Sequence, residues 1–185
     1  AAAVQLEDQV LDKRCGHFDD HRLIPAEEMV AKIRAAVDAR GDSGLVLVAR
    51  TDARSAYGLD EAIRRARLYA EAGADVLFVE APRTVEEMRT IGRELAGTPL
   101  LANIVEGGKT PELSVAELAE LGFSIALFAN YLMRSMLHAG RQALAHLKAA
   151  GETRSRTPHL LPWADRQTLF GLAAYTEVEQ RYADG

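Results

Sequence analysis

LVLVART, residues Leu45–Thr51, followed by Asp52, is the stretch on which the fold turns. Its first five residues are apolar without interruption. A strand with one face in water alternates apolar and polar residues. An unbroken run is what a strand covered on both faces requires, as in a parallel sheet. Arg50, Thr51 and Asp52 then put polar groups where that strand ends. Four other runs share the character: AVQLE (Ala3–Glu7), ADVLFVEA (Ala74–Ala81), PLLANIV (Pro99–Val105) and SIALFA (Ser124–Ala129).

Amphipathic helices fill the gaps. The first opens at Pro25, a good first-turn residue, and sets Met29, Val30, Ile33 and Val37 on one face. The second runs from about Leu59 to Ala72 with Leu59, Ala62, Ile63 and Ala66 on its stripe, and stops at Gly73. Thr84 with Glu87, and Ser114 with Glu117, have the spacing of capping boxes. A longer helix is expected over 131–149, a linker at Arg154–Pro158, and a last helix over Asp165–Tyr182.

Five β-α units in succession predict an α/β protein with a parallel sheet. After the first gap the strands recur roughly every 25 to 30 residues, the length of a βαβ unit. A doubly wound sheet has the same local pattern. The strand ends favour the barrel: Glu7 and Asp8, Arg50 and Asp52, Glu80, then Asn103 and Glu106 follow four runs in order. Barrel active sites are assembled from the C-terminal ends of several strands, whereas doubly wound sheets concentrate a ligand site at one switch point. The expected fold is therefore a (β/α)8 TIM-type barrel. A barrel has eight strands in about 250 residues, and this chain offers five runs in 185. Three N-terminal βα units are thus expected to be absent from it. The expected division is 1–150, five βα units, and 151–185, a linker with a C-terminal helical extension.

Composition narrows the function classes. Hydrophobic residues make up 48% and the net charge is −5. No basic stripe supports nucleic-acid binding, and no apolar run reaches the roughly 18 residues of a membrane span. One cysteine excludes an internal disulfide and fits a reducing, cytoplasmic setting. No secretory signal is visible.

That cysteine, Cys15, lies in DKRCGHFDD (Asp12–Asp20), a long connection after the first strand. A lone cysteine is ordinarily a small buried hydrophobe. Here Lys13, Arg14 and His17 would favour a thiolate or help a thiol give up its proton, and Gly16 lets backbone approach a ligand. Glu7, Asp8 and Glu80 either cap helices and pair with lysines, or gather round a hard divalent cation such as Mg²⁺. Arg50, desolvated by its position, needs an anion. It has two uses: pairing with Asp52 or Glu80, or a two-pronged clamp on a substrate carboxylate or phosphate. Asn103 is placed to donate to the same anion. The remaining histidines, His21, His138, His146 and His159, read as surface or packing residues.

LEDQ (Leu6–Gln9), KRCGH (Lys13–His17), ARTDAR (Ala49–Arg54), EAGADVLFVEAP (Glu71–Pro82) and LANIVEGGKTP (Leu101–Pro111) together resemble the isocitrate lyase / phosphoenolpyruvate mutase superfamily. The resemblance spans nearly the whole chain. It implies a Mg²⁺-dependent lyase, with Mn²⁺ as a substitute, cleaving a carbon–carbon bond of a 2-hydroxy di- or tricarboxylate. The products are an α-keto acid and a second carboxylate. Carried over by residue, it makes Cys15 the proton donor of a gating loop and Lys13 its tuning cation. Gly16, His17, Arg50, Glu80, Asn103 and Arg134 bind substrate, and Glu7 holds the metal through water. It also implies a homotetramer with the C-terminal helix exchanged between subunits.

Departures qualify the carry-over. The paired aspartates that bind the metal in the family, and its serine–glycine loop, are not in this chain. Val105 stands where several lyases carry threonine or serine, which favours a smaller or less polar substrate than a tricarboxylate. Phe128-Ala129-Asn130 replaces a common Tyr-Pro. Two other readings stay open: phosphonate mutase or oxaloacetate decarboxylase/hydrolase chemistry on the same scaffold, and a non-catalytic truncated barrel. Cys15 counts against the mutase, whose members carry asparagine there.

Overall fold

A computed structural model describes residues 1–14 and 22–183. Its elements follow the predicted order. Strands β1 (Ala3–Glu7), β2 (Val46–Thr51), β3 (Val76–Val79), β4 (Leu101–Ile104) and β5 (Ile125–Phe128) alternate with helices. The helices are α1 (Ala26–Arg40), α2 (Ala53–Tyr57), α3 (Leu59–Glu71), α4 (Val85–Glu94), α5 (Val115–Glu120) and α6 (Tyr131–Ala150). The five-residue α2 is the one element here that the hydrophobic pattern does not announce. The chain divides into two compact units, Ala1–Met133 and Arg134–Gly185.

Every strand pairing in the first unit is parallel. β1 pairs with β2 and β2 with β3, β4 pairs with β5, and a single parallel bridge, Leu77 to Leu100, joins the two sets. Spatial order thus follows chain order, with no reversal of the kind that makes the switch point of a doubly wound sheet.

Successive side chains of a strand point to opposite faces, and the two faces have different contents. Ala49, Leu77, Val79, Ala102 and Ile104 pack with Met29 and Ile33 of α1, Ala62, Ile63, Ala66 and Tyr69 of α3, Met88 and Ile91 of α4, and Leu118 of α5. This is the main core, and the helical stripes read from the sequence supply it. The opposite face holds a smaller cluster, Val48, Val76, Phe78 and Leu101. The continuous apolar runs reflect this double burial.

Two local expectations change. Ser114 and Glu117 form a complete capping box, but Thr84 and Glu87 do not. Thr84 accepts from the Glu87 N–H, while the Glu87 carboxylate serves Arg83 N–H and Arg54 instead. An arginine fork outbids a single backbone amide for a carboxylate. In the second unit, Arg154–His159 is a 3-10 turn, and the expected last helix is two: α7 (Trp163–Leu169) and α8 (Leu172–Ala183). The break is Gly171, whose φ of +68° is left-handed and ends a helix. No helix among the described residues is long and apolar enough to cross a membrane.

One close approach in the first unit is severe. A Cβ built on Gly92 of α4 would lie 1.8 Å from the carbonyl oxygen of Leu121, at the end of α5. The neighbour is backbone and cannot swing aside. Gly92→Ala is therefore expected to lower stability by about 3 kcal/mol, the cost of overpacking a core. Urea unfolding checks this, and an unchanged midpoint would refute it.

Candidate active site

The smaller of the two sheet faces carries the site. By alternation, Glu7 on β1, Arg50 on β2, Phe78 on β3 and Asn103 on β4 all project to the side that holds Val48, Val76 and Leu101. The parallel register sets Glu7 beside Arg50 and Arg50 beside Phe78. Glu80, just past β3, is anchored by its N–H to the Thr51 carbonyl at 3.0 Å. The next residue, Ala81, has φ +55°, unusual for a residue with a Cβ. Strained backbone of this kind gathers at functional positions.

Arg50 is the centre of the arrangement. Its Nε and Nη2 donate to the two oxygens of Asp52 at 2.9 and 2.7 Å, a two-pronged pair. Glu7 Oε2 lies 3.5 Å from Nε and Glu80 Oε2 lies 3.6 Å from Nη1. The guanidinium carbon sits 5.2 Å from the centre of the Phe78 ring, within cation–π range. Burial works to lower the pKa of Arg50, but the Asp52 hydrogen bond and the charges of Glu80, Asp52 and Glu7 outweigh it, so the net shift is upward. Asn103 turns its Nδ2 toward the Glu80 carboxylate at 3.4 and 3.5 Å, long for a hydrogen bond. Lys13 Nζ lies 3.0 Å from Glu7 Oε1. That contact is off hydrogen-bond direction, so among the described residues Glu7 Oε1 is buried without a hydrogen-bond partner, as is Asn103 Oδ1.

Glu7 and Asp8 are neighbours in sequence but not in role. The pleat sends Asp8 to the helix-packed face, where it is fully buried. Its Oδ2 accepts from Thr51 Oγ1 at 2.7 Å, Tyr69 Oη at 2.8 Å and Arg65 Nη1 at 3.1 Å, and its Oδ1 accepts from the Asp52 N–H at 3.0 Å. Four donors saturate it, so it does not join the carboxylates of the other face. Arg65 also donates to the Ile24 carbonyl and to Glu61. Hydrogen bonds from Arg64 first, and then Arg65, hold the Glu61 carboxyl down at about 2. Burial first, then the Asp8 charge and hydrogen bond, push the Tyr69 hydroxyl up.

Cys15, Gly16 and His17 lie outside the described residues, as does His21. The chain on either side of them is anchored at the end of β1. The Gln9 side chain both donates to and accepts from the Arg14 backbone at 2.9 Å. Val10 N–H bonds the Arg22 carbonyl, and Ile24 N–H bonds that of Asp8. The described flanks Arg14 and Arg22 are thus held at Gln9 and Val10, just past the end of β1. Arg134 belongs to the second unit, on α6. Gly107 N–H is taken by the Glu112 carboxylate at 2.8 Å, which fits a plain turn.

The structure therefore brings together Glu7, Lys13, Arg50, Glu80 and Asn103. Sequence reasoning grouped Asp8 with Glu7 and Glu80, whereas the structure turns it to the other face, and it missed the partners Asp8 meets there: Thr51, Arg65 and Tyr69. The signal was an arginine within the apolar stripe of α3, next to Ala62 and Ala66, where a charge needs a buried partner.

Comparison with known proteins identifies relatives of the chain. Residues 1–148 match the family described as phosphoenolpyruvate phosphomutase. The chain is 41% identical over its full length to 2,3-dimethylmalate lyase of Eubacterium barkeri, covering 63% of that protein. It is 42% identical over its full length to 2-methylisocitrate lyase of Aeropyrum pernix, covering 58% of that protein. The chain thus spans less than two thirds of the relatives it matches. Among solved structures, oxaloacetate acetylhydrolase bound to 3,3-difluorooxalacetate superposes with a TM-score of 0.90 at 34% identity, over 98% of this chain and 61% of the other. Phosphonopyruvate hydrolase in complex with oxalate and Mg²⁺ superposes with a TM-score of 0.83 at 30% identity, over 99% of this chain and 63% of the other.

Removing one member of a buried ion pair strands the other charge. Asp52→Ala is expected to cost about 3 kcal/mol, the low end for a broken buried pair, because Arg50 keeps its longer contacts to Glu7 and Glu80. Arg50→Met combined with Asp52→Ala should recover most of that loss. Urea unfolding of both single variants and the double variant checks it, and additive losses would refute the pairing.

Proposed function

This chain belongs to the phosphoenolpyruvate phosphomutase family, in the PEP mutase/isocitrate lyase superfamily, and from that membership we propose that it forms part of a Mg²⁺-dependent carbon–carbon lyase. The substrate is a 2-hydroxy di- or tricarboxylate of the 2-alkylmalate or methylisocitrate type. The products are an α-keto acid and a second carboxylate. In this reading the five βα units are part of an eight-stranded barrel, which the unreversed strand order supports.

The observation that carries the reading is Arg50, a desolvated guanidinium at a strand end with Glu7, Glu80 and Asn103 around it. Arg50, held by Asp52 through Nε and Nη2, offers its Nη1 side to a substrate carboxylate, and Asn103 and Glu80 orient the adjoining oxygens. Arg134 is proposed as a further carboxylate contact. As the bond beside the carbinol carbon breaks, the carbinol hydroxyl gives up its proton to a carboxylate of the site, and that carbon becomes a carbonyl. The electron pair passes to the fragment that retains the second carboxylate. Cys15, tuned by Lys13, gives its thiol proton to that carbanionic carbon, and Gly16 and His17 hold the substrate at the thiol. A thiol is a suitable acid for this because its pKa lies near the working pH.

The described residues alone do not hold a direct ligand set for a divalent ion. No group of three or more His, Cys, Asp or Glu among them could hold one. They do suit its outer sphere: Glu7 Oε1, buried and without a hydrogen-bond partner among the described residues, would accept from metal-bound water. Three carboxylates, Glu7, Asp52 and Glu80, face two cations, Arg50 and Lys13. A polyanionic substrate therefore gains from a further positive charge. Bound Mg²⁺ supplies Lewis-acid stabilisation of substrate oxygens.

The likeness to oxaloacetate acetylhydrolase and phosphonopyruvate hydrolase favours a second reading, hydrolysis of an oxaloacetate or phosphonopyruvate type of substrate on the same groups. One panel separates the two. The full-length protein with Mg²⁺ is expected to release an α-keto acid from a 2-alkylmalate or from methylisocitrate. Cys15→Ser should reduce that rate by about 10²–10⁴, the usual contribution of a positioned acid. Oxalate from oxaloacetate, or a new phosphorus resonance from phosphonopyruvate, without keto-acid release from the hydroxy acids, would replace the lyase by the second reading. Full activity in Cys15→Ser would remove the proton-donor role.

We propose in addition that the protein is a homotetramer. The support is the Arg134–Gly185 unit, whose α7 and α8 bury no residue within the chain. Trp163, Leu169, Phe170 and Tyr175 are all more than half exposed, more apolar surface than an isolated chain ordinarily shows. Sedimentation equilibrium is expected to give four times the subunit mass, with Trp163→Asp/Phe170→Asp shifting it downward. A concentration-independent monomer would refute the proposal.

A further inference from the structure

We propose that the buried Asp8–Tyr69–Thr51 cluster, with Arg65, is a positioning device for Arg50 that acts through Asp52. The proposal rests on the reading of Arg50 as a carboxylate-binding group. It concerns residues on the opposite face of the sheet from the site.

The connection is continuous in hydrogen bonds. Arg65 and Tyr69, one turn apart on α3, both donate to Asp8 Oδ2, at 3.1 and 2.8 Å. Asp8 grips the end of β2 at two points, accepting from the Thr51 hydroxyl at 2.7 Å and from the Asp52 N–H at 3.0 Å. The Thr51 oxygen in turn accepts from Ala53 N–H at 3.2 Å, at the start of α2. The Asp52 backbone is thereby fixed, and its carboxylate carries the Arg50 fork at 2.9 and 2.7 Å. Asp8, Thr51 and Asp52 are at most 1% exposed, Tyr69 is fully buried and Arg65 is 6% exposed.

Stability alone is a weak reason for such a cluster. Desolvating a carboxylate and a guanidinium costs about as much as their attraction returns, and apolar side chains of the same volume often serve a core as well. What they would not do is set the backbone direction at Asp52. A forked arginine must meet a planar carboxylate in register. A small rotation of Asp52 would turn the Arg50 fork away from the face it shares with Glu7 and Glu80. Groups that act only by holding a binding residue commonly alter affinity without touching the ligand.

The test uses mild variants of the full-length protein. Tyr69→Phe and Thr51→Val each delete one hydroxyl. Ile33→Val, in the main core and outside the chain of bonds, serves as the control for lost stability. Two quantities are read: the hydrogen exchange of the Arg50 Nε–H by NMR, its resonance identified by loss in Arg50→Lys, and the affinity for oxalate with Mg²⁺ by calorimetry. Tyr69→Phe and Thr51→Val should speed Nε–H exchange and weaken oxalate roughly 3- to 10-fold, the span of one hydrogen bond. Ile33→Val should change only the melting temperature. Exchange and affinity matching those of Ile33→Val would overturn the proposal. If the parent protein does not bind oxalate, or Arg50→Lys binds it as well, the reading of Arg50 as a carboxylate-binding group fails. The Nε–H exchange still decides the positioning role in that case.

Discussion

A guanidinium cannot be withdrawn from water without anions to receive its protons. Arg50 stands at the end of β2, 14% exposed, and everything polar on that face is arranged about it. Asp52 takes two of its N–H groups, while Glu7 and Glu80 arrive from the strands on either side. Three strands must be parallel and in register for this to happen. If β1 slipped by one residue, Asp8 would replace Glu7 and the core would receive the wrong carboxylate.

The same two-residue period separates chemistry from architecture. Glu7 and Asp8 are chemically similar and adjacent, yet they face opposite sides. On one side a carboxylate oxygen is buried beside cations and keeps an acceptor unused. On the other the carboxylate is saturated by Thr51, Tyr69, Arg65 and a backbone N–H. Both are strand-end carboxylates, and only the first keeps, among the described residues, a buried oxygen without a hydrogen bond. The helices α1, α3, α4 and α5 fix the sheet from the saturated side, so the face that holds Arg50 is supported by groups that never reach it.

The second unit poses a different physical problem. Its apolar side chains have the spacing of packed helices, yet none of the described residues of α7 and α8 is buried. Hydrophobic burial is the main term that offsets the entropy of ordering a chain. A helical pair that buries none of its own residues depends on surface from elsewhere.

Much of this was legible from residue order alone. Continuous apolar runs mark parallel strands because double burial leaves no polar face. Helical stripes mark the main core because period 3.6 allows one buried side. The polar strand ends mark the candidate site because solubility does not require an arginine after five apolar residues. Local capping was half legible: Ser114 and Glu117 behave as their spacing says, whereas Glu87 is drawn off by Arg54, a residue 33 positions away. Gly171 divides the last helix through a left-handed turn that its apolar pattern does not register. What tertiary structure alone decided is which partner each charge receives. Asp8 joins Arg65 across 57 residues and Tyr69 across 61. Residue order states that these groups are charged or polar, but pairing is set by distance in space, and distance follows from strand register and helix packing.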